Sequence, residues 1–128
     1  MTRGPTFSFR AVAIVASGIC LLLAAAWLLA PQLILRLWEI GDPEPALVVA
    51  RRGGALFLGL AAMLFLARDA ENSPARRAIS VGLCVACATL AALGLGEWGA
   101  GHAGIGIGPA IVAEILLAVS FAKTSFKD

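Results

Sequence analysis

Residues 11–30 read AVAIVASGICLLLAAAWLLA, without one charged side chain. An α-helix rises 1.5 Å per residue, so about 20 apolar residues cross a hydrocarbon core roughly 30 Å thick. The run has that length, and a surface helix of a soluble protein would show a polar face within it. Outward from it the pattern repeats. Residues 78–96 are uncharged throughout, and residues 103–122 carry only Glu114. The remaining apolar block is uncharged only over residues 55–67, too short to cross. Extended back to residue 46 it has the length, and then it contains Arg51 and Arg52. The expectation is an all-α, integral membrane four-helix bundle, one domain over residues 1–128, with spans at about 11–30, 46–67, 78–96 and 103–122.

Composition agrees. Of 128 residues, 60% are hydrophobic and 14% charged, against about 45–50% and about 25% in soluble domains. Mean hydropathy is +0.92. A net charge of +2 gives nucleic-acid binding no electrostatic support. The charges cluster between the apolar blocks. Arg3 and Arg10 precede the first span, Arg68, Arg76 and Arg77 separate the second from the third, and Lys123 and Lys127 follow the fourth. The other loops hold Glu39, Asp42, Glu44 and Glu97 with Arg36. By the positive-inside rule both termini are expected on the cytoplasmic side. Trp27, Trp38 and Trp98 all fall near the opposite end of a span, as interfacial tryptophans do. A cleaved signal peptide over residues 1–30 is disfavoured, because the apolar run is long for a signal and Ile19 precedes Cys20 where a lipoprotein site wants a small residue.

Prolines and glycines punctuate the spans. Pro31 interrupts the first, leaving residues 32–40 as a kinked or interfacial turn. Gly41-Asp42-Pro43-Glu44-Pro45 has turn composition. Ser73-Pro74 suits a helix cap and first turn. Each span offers small residues that let helices approach. They are Ala13, Ser17, Cys20 and Ala24 in the first, and Gly54, Ala55, Gly59 and Ala62 in the second. The third has Ser80, Cys84, Cys87, Ala91 and Gly94, and the fourth has Ala110 and Ala118 flanking Glu114.

Three motifs invite chemistry. Cys84-Val85-Ala86-Cys87 has redox spacing, yet reactive pairs sit near a helix N-terminus and this one lies deep in an apolar span. With Cys20 at similar depth a three-thiol cluster is conceivable, and packing by small residues is the reading preferred. No metal site is expected, since no second CxxC exists and the one histidine, His102, lies beyond the far end of that span. The segment 99–109 is dense in glycine, but neither the preceding strand nor the lysine of a phosphate loop is there. It reads as a mobile outer loop or a frayed start to the fourth helix. Glu97 and His102 are secondary candidates beside it, more simply solvated loop residues.

The third motif is the pair of charges inside the spans. An ionised group there costs at least about 2.5–3.5 kcal/mol on insertion scales and calls for a partner, a water-filled cavity or a proton. Arg51 and Glu114 have comparable expected depth, so they are expected to form a buried charge pair or a ligand site. Arg52 points one position round, from where it can snorkel to the interface. The pair is open to two readings, a salt bridge that fixes helix register and a site for a polar ligand or proton.

The kinked end of the first span, the Gly41-Asp42-Pro43-Glu44-Pro45 turn, the run Ala50-Arg51-Arg52-Gly53-Gly54-Ala55-Leu56-Phe57-Leu58-Gly59 and the basic link before the third span together resemble small, mostly uncharacterised four-helix bacterial membrane proteins of the DoxX-like kind. The resemblance covers most of the chain with few and degenerate motifs. It implies a bacterial inner-membrane location and a compact fold, and no established reaction. The leading expectation is a non-enzymatic accessory or membrane-organising bundle without cofactor, whose partners are the lipid bilayer and another membrane protein or a second copy. The alternatives are a small transporter or lipophilic-ligand binder centred on Arg51 and Glu114, and a membrane thiol oxidoreductase using Cys84 and Cys87.

Overall fold

A computed structural model describes residues 8–125; Arg3 and Lys127, counted above for orientation, lie outside them. The described chain is five α-helices and one 3-10 turn, with no strand among these residues. They are α1 (Phe9–Leu29), α2 (Pro31–Leu37), α3 (Glu44–Ala67), α4 (Pro74–Gly99), the 3-10 turn Ile105–Ile107, and α5 (Gly108–Ser125). Four segments are long and apolar enough to span a membrane: α1, α3, α4 and the 3-10 turn together with α5. Helix bounds run past the apolar runs by a turn in α4, whereas residues 103 and 104 fall outside any helix.

Local chemistry sets these boundaries. The Ser8 hydroxyl accepts the Ala11 N–H at 3.2 Å and caps α1. Its end is set by Pro31, which drives the preceding Ala30 out of the helical region, to φ −145° and ψ 59°. Pro31 then opens α2 from its first position, so the expected kink is a full break. Ser73 caps α4 by accepting the Arg76 N–H at 3.2 Å, with Pro74 next, as the sequence implies. Two helices close on the same 6→1 and 5→2 hydrogen-bond pattern. At the end of α2, Ile40 N–H donates to the Leu35 carbonyl at 2.8 Å and Glu39 N–H to Arg36 at 3.0 Å. At the end of α4, His102 N–H donates to Glu97 at 2.9 Å and Gly101 N–H to Trp98 at 3.1 Å. The left-handed position is glycine in one case, Gly101 at φ 80°, and Glu39 at φ 56° in the other.

The long helices pair as two antiparallel hairpins, α1 with α3 and α4 with α5, and α1 also packs on α5. Small residues permit the close approaches. A Cβ on Gly54 would stand 2.9 Å from the Trp27 Cβ, and one on Gly94 would stand 2.9 Å from Ile111 Cγ1. The small-residue stripes expected for α1 and α4 lie on their buried faces, with Cys84 half-buried at the edge. The stripe expected for α3 needs correction. Leu47, Gly54, Ala61 and Leu64 are buried, while Ala55, Gly59 and Ala62 are exposed. On α5 the buried side chains are Ile111, Phe121, Thr124 and Ser125, with Ala110 and Ala118 half-buried.

One core cluster joins all four long helices near the α1 N-terminus. It includes Phe9, Ala13, Ala16 and Cys20 with Leu64, Leu83 and Phe121. Ser17 donates to the Ala61 carbonyl at 2.8 Å across the α1–α3 seam, and Thr124 donates to Ser80 Oγ at 3.3 Å across α4–α5. At this end Arg10 and Arg68 both pair with Asp69, the latter at 3.7 Å. We call it the arginine end, and the opposite one the tryptophan end. Large apolar side chains stay exposed on every span, Leu22 at 74% and Leu66 at 79% among them. In water such surfaces would be patches far beyond those of monomeric proteins, and in a bilayer they face their natural solvent.

Candidate functional site: charges and thiols within the spans

Arg51 and Arg52 follow Glu44, the first residue of α3, by seven and eight positions, which places them about 10–12 Å below the tryptophan end. Glu114 follows Gly108 on α5 by six, about 9 Å into that helix, and its span begins one 3-10 turn earlier, at Ile105. Arg51 and Glu114 both lie in the half of their helix nearer the tryptophan end. The pair itself is not formed. Among the described residues no ion pair includes Arg51, Arg52 or Glu114. The physical reason is the pairing of helices. α3 packs on α1 and α5 on α4, so the two charges belong to different hairpins.

Their faces differ as well. Arg51 is exposed at the edge of the α3 face that buries Leu47 and Gly54, and Arg52 is exposed on the far side. Glu114 is half-buried and lies on the inward side of α5, in line with Ile111 and Phe121 at helical spacing. Its placement makes it an electrostatic neighbour of Cys87 on α4.

The three thiols are free, Cys20 and Cys87 buried and Cys84 half-buried. Cys20 belongs to the core cluster of α1 and Cys84 packs against it, and Cys87 has both as electrostatic neighbours. Cys20 and Cys84 thus share one core cluster, with Cys87 within electrostatic reach of both. Among the described residues no group of three or more histidine, cysteine or acidic side chains is arranged to hold a metal ion. Cys84 and Cys87 stand mid-helix on α4, remote from the N-terminal amides that would activate a thiolate.

Glu97 and His102 meet, with Nδ1 of His102 2.7 Å from Oε2 of Glu97, both side chains exposed. The contact follows from the closure of α4, since the backbone of His102 already bonds to that of Glu97. It is a surface clip at the tryptophan end.

Sequence reasoning missed a clasp next to it. Residues 100–104 form a turn outside any helix, and the 3-10 turn Ile105–Ile107 leads into α5. The Gly104 N–H donates to the Trp38 carbonyl at 2.7 Å, and Ala103, Ile107 and Ile111 form a second buried cluster against Trp38 and Ile40. Trp38 also meets Trp27 edge to face, with ring centroids 5.3 Å apart. A Cβ on Gly104 would take the place of the Glu39 carboxylate, and one on Gly106 the place of the Leu37 carbonyl. The available signal was glycine at alternate positions from 104 to 108, which permits a backbone to lie against another segment. Comparison with protein-family models, with curated proteins and with solved structures finds no match, so the functional reading rests on the chain's own chemistry.

Proposed function

We propose that this chain is a non-enzymatic accessory or membrane-organising subunit of the bacterial inner membrane, with both termini cytoplasmic, in keeping with its DoxX-like resemblance. The observation that carries the reading is the pair of exposed guanidinium groups of Arg51 and Arg52, within a membrane-length helix and outside every ion pair among the described residues. Each charge left in hydrocarbon costs about 2.5–3.5 kcal/mol. Arg52 can relieve part of this by snorkelling to the nearer interface. Arg51, exposed at the edge of the α1–α3 seam, would be relieved by a carboxylate or carbonyl of a neighbouring membrane protein. An enzyme would need an accessible reactive group, and of the thiols and hydroxyls grouped within the spans Cys20, Cys87, Ser80, Thr124 and Ser125 are all buried.

The test is affinity purification of the tagged chain into lipid nanodiscs with mass spectrometry of what accompanies it. A second membrane protein is expected to co-purify reproducibly, and to be lost from Arg51→Gln/Arg52→Gln. Recovery of the chain alone, unchanged by that double substitution, would sink the reading. A binder or transporter centred on Glu114 is the second reading, favoured by a half-buried intramembrane carboxylate with no ion pair. It predicts a retained cationic small molecule that disappears with Glu114→Gln. The oxidoreductase reading predicts that a membrane-permeant alkylator reacts with Cys84 or Cys87 in the native protein.

A further inference from the structure

A shallow cavity of about 570 Å³, open to the surface, lies at the arginine end of α4, lined by Asn72, Ser73, Pro74, Arg77, Ala78 and Val81. Pro74, Arg77, Ala78 and Val81 are spaced at i, i+3, i+4 and i+7, so they share one face of the helix. The chemistry of the lining changes along that face. Asn72, Ser73 and Arg77 are polar and belong to the inter-span link or the first turn of α4. Ala78 and Val81 lie further into a helix long and apolar enough to cross a membrane, and Val81 is 45% exposed. From Pro74 to Val81 the face descends about 10 Å. A cation above an apolar wall is the order of groups in a phospholipid, phosphate first and acyl carbons beneath.

Arg77 is available for that role. It is exposed and joins no ion pair among the described residues. Its basic neighbours are engaged elsewhere. Arg10 and Arg68 hold Asp69, and Arg76 lies over the Phe9 ring, 4.8 Å from its centroid, while donating to the Ala70 carbonyl at 3.4 Å. Ser73 already caps α4 through the Arg76 N–H, so the first turn is satisfied by the chain itself. An anion in the cavity would therefore be held by the Arg77 guanidinium, with the Asn72 amide as a second donor.

We propose that this cavity binds the phosphate of an anionic phospholipid, with Arg77 as its cation and the Ala78–Val81 face against its first acyl carbons. The site lies at the opposite end of the spans from Arg51 and Arg52, and does not depend on the partner reading.

The test is native mass spectrometry of the full chain released from detergent, titrated with phosphatidylglycerol, with phosphatidylcholine, and with inorganic phosphate as competitor. Phosphatidylglycerol is expected to bind more tightly than phosphatidylcholine. Arg77→Gln should weaken it about tenfold, the loss of one charge-assisted hydrogen bond. Arg77→Lys should keep most of the affinity, and Arg36→Gln, at the tryptophan end, all of it. Val81→Trp should weaken phosphatidylglycerol by filling the apolar wall. Circular dichroism checks that each variant keeps its helix content. Equal binding of the two lipids, or of phosphatidylglycerol to wild type and Arg77→Gln, would overturn the proposal. So would inorganic phosphate competing as well as the lipid with Val81→Trp inert, which would assign the cavity to a soluble anion.

Discussion

Gly106 sits where its backbone meets the carbonyl of Leu37, so that a β-carbon there would need the space of that oxygen. Backbone cannot give way as a flexible side chain does, and Gly106→Ala should destabilise the protein by about 1–3 kcal/mol, the range for overpacking. Gly108, two residues on, has nothing within 4 Å of such a carbon. Gly108→Ala is therefore expected to be neutral or to stabilise by up to about 1 kcal/mol through helix propensity. Reversible unfolding in mixed micelles compares the two, and equal effects would refute the clasp. Ser17 offers a second residue-scale measurement. Its hydroxyl bonds the Ala61 carbonyl inside the α1–α3 seam, and such bonds between membrane helices are worth about 0.6 kcal/mol and at most about 1.7. Ser17→Ala should cost that amount. A loss of several kcal/mol would mean that the seam depends on the hydroxyl and not on Ala13, Ala16 and Gly54.

Among the elements, α2 has the plainest cause and the widest consequence. Pro31 ends α1 and begins α2, and the left-handed Glu39 ends α2 in turn, which leaves the Trp38 carbonyl facing Gly104. Pro31→Ala removes the first cause. The break between α1 and α2 should then heal, carrying Trp38 away from Trp27 and Gly104. Tryptophan emission is expected to shift while helix content stays the same or rises; an unchanged emission spectrum would show that the clasp, and not proline, holds the break. The sequence made some of this legible. The proline at 31, the Ser73-Pro74 start and the uncharged runs give the elements, because these signals are local. The clasp was not legible, because it joins residues 38 and 104 and no local pattern reports which loop a glycine lies against. The α3 stripe went astray for a related reason. Gly54, Ala55, Gly59 and Ala62 are all small, and only the partner helix decides which arc of them is buried.

At the scale of the whole molecule the same limit separates Arg51 from Glu114. Their depths follow from counting along each helix, but their distance follows from which helices pair, and two hairpins keep them apart. What the whole molecule does express is an asymmetry of charge. The arginine end carries Arg10, Arg68, Arg76, Arg77 and Lys123 beside Asp69 and Glu71, and the tryptophan end carries Arg36 beside Glu39, Asp42, Glu44 and Glu97. By the positive-inside rule the first should face the cytoplasm. Two exposed positions report on it, Asn72 at the arginine end and His102 at the other. In a chain whose Cys20, Cys84 and Cys87 are replaced by alanine, small enough for their packed sites, His102→Cys should react with a membrane-impermeant maleimide on intact spheroplasts. Asn72→Cys should react only once the membrane is opened. The reverse pattern would invert the orientation and leave the spans intact. Labelling of both positions from one side would break the four-span arrangement itself, since an odd number of crossings between residues 72 and 102 is what α4 supplies.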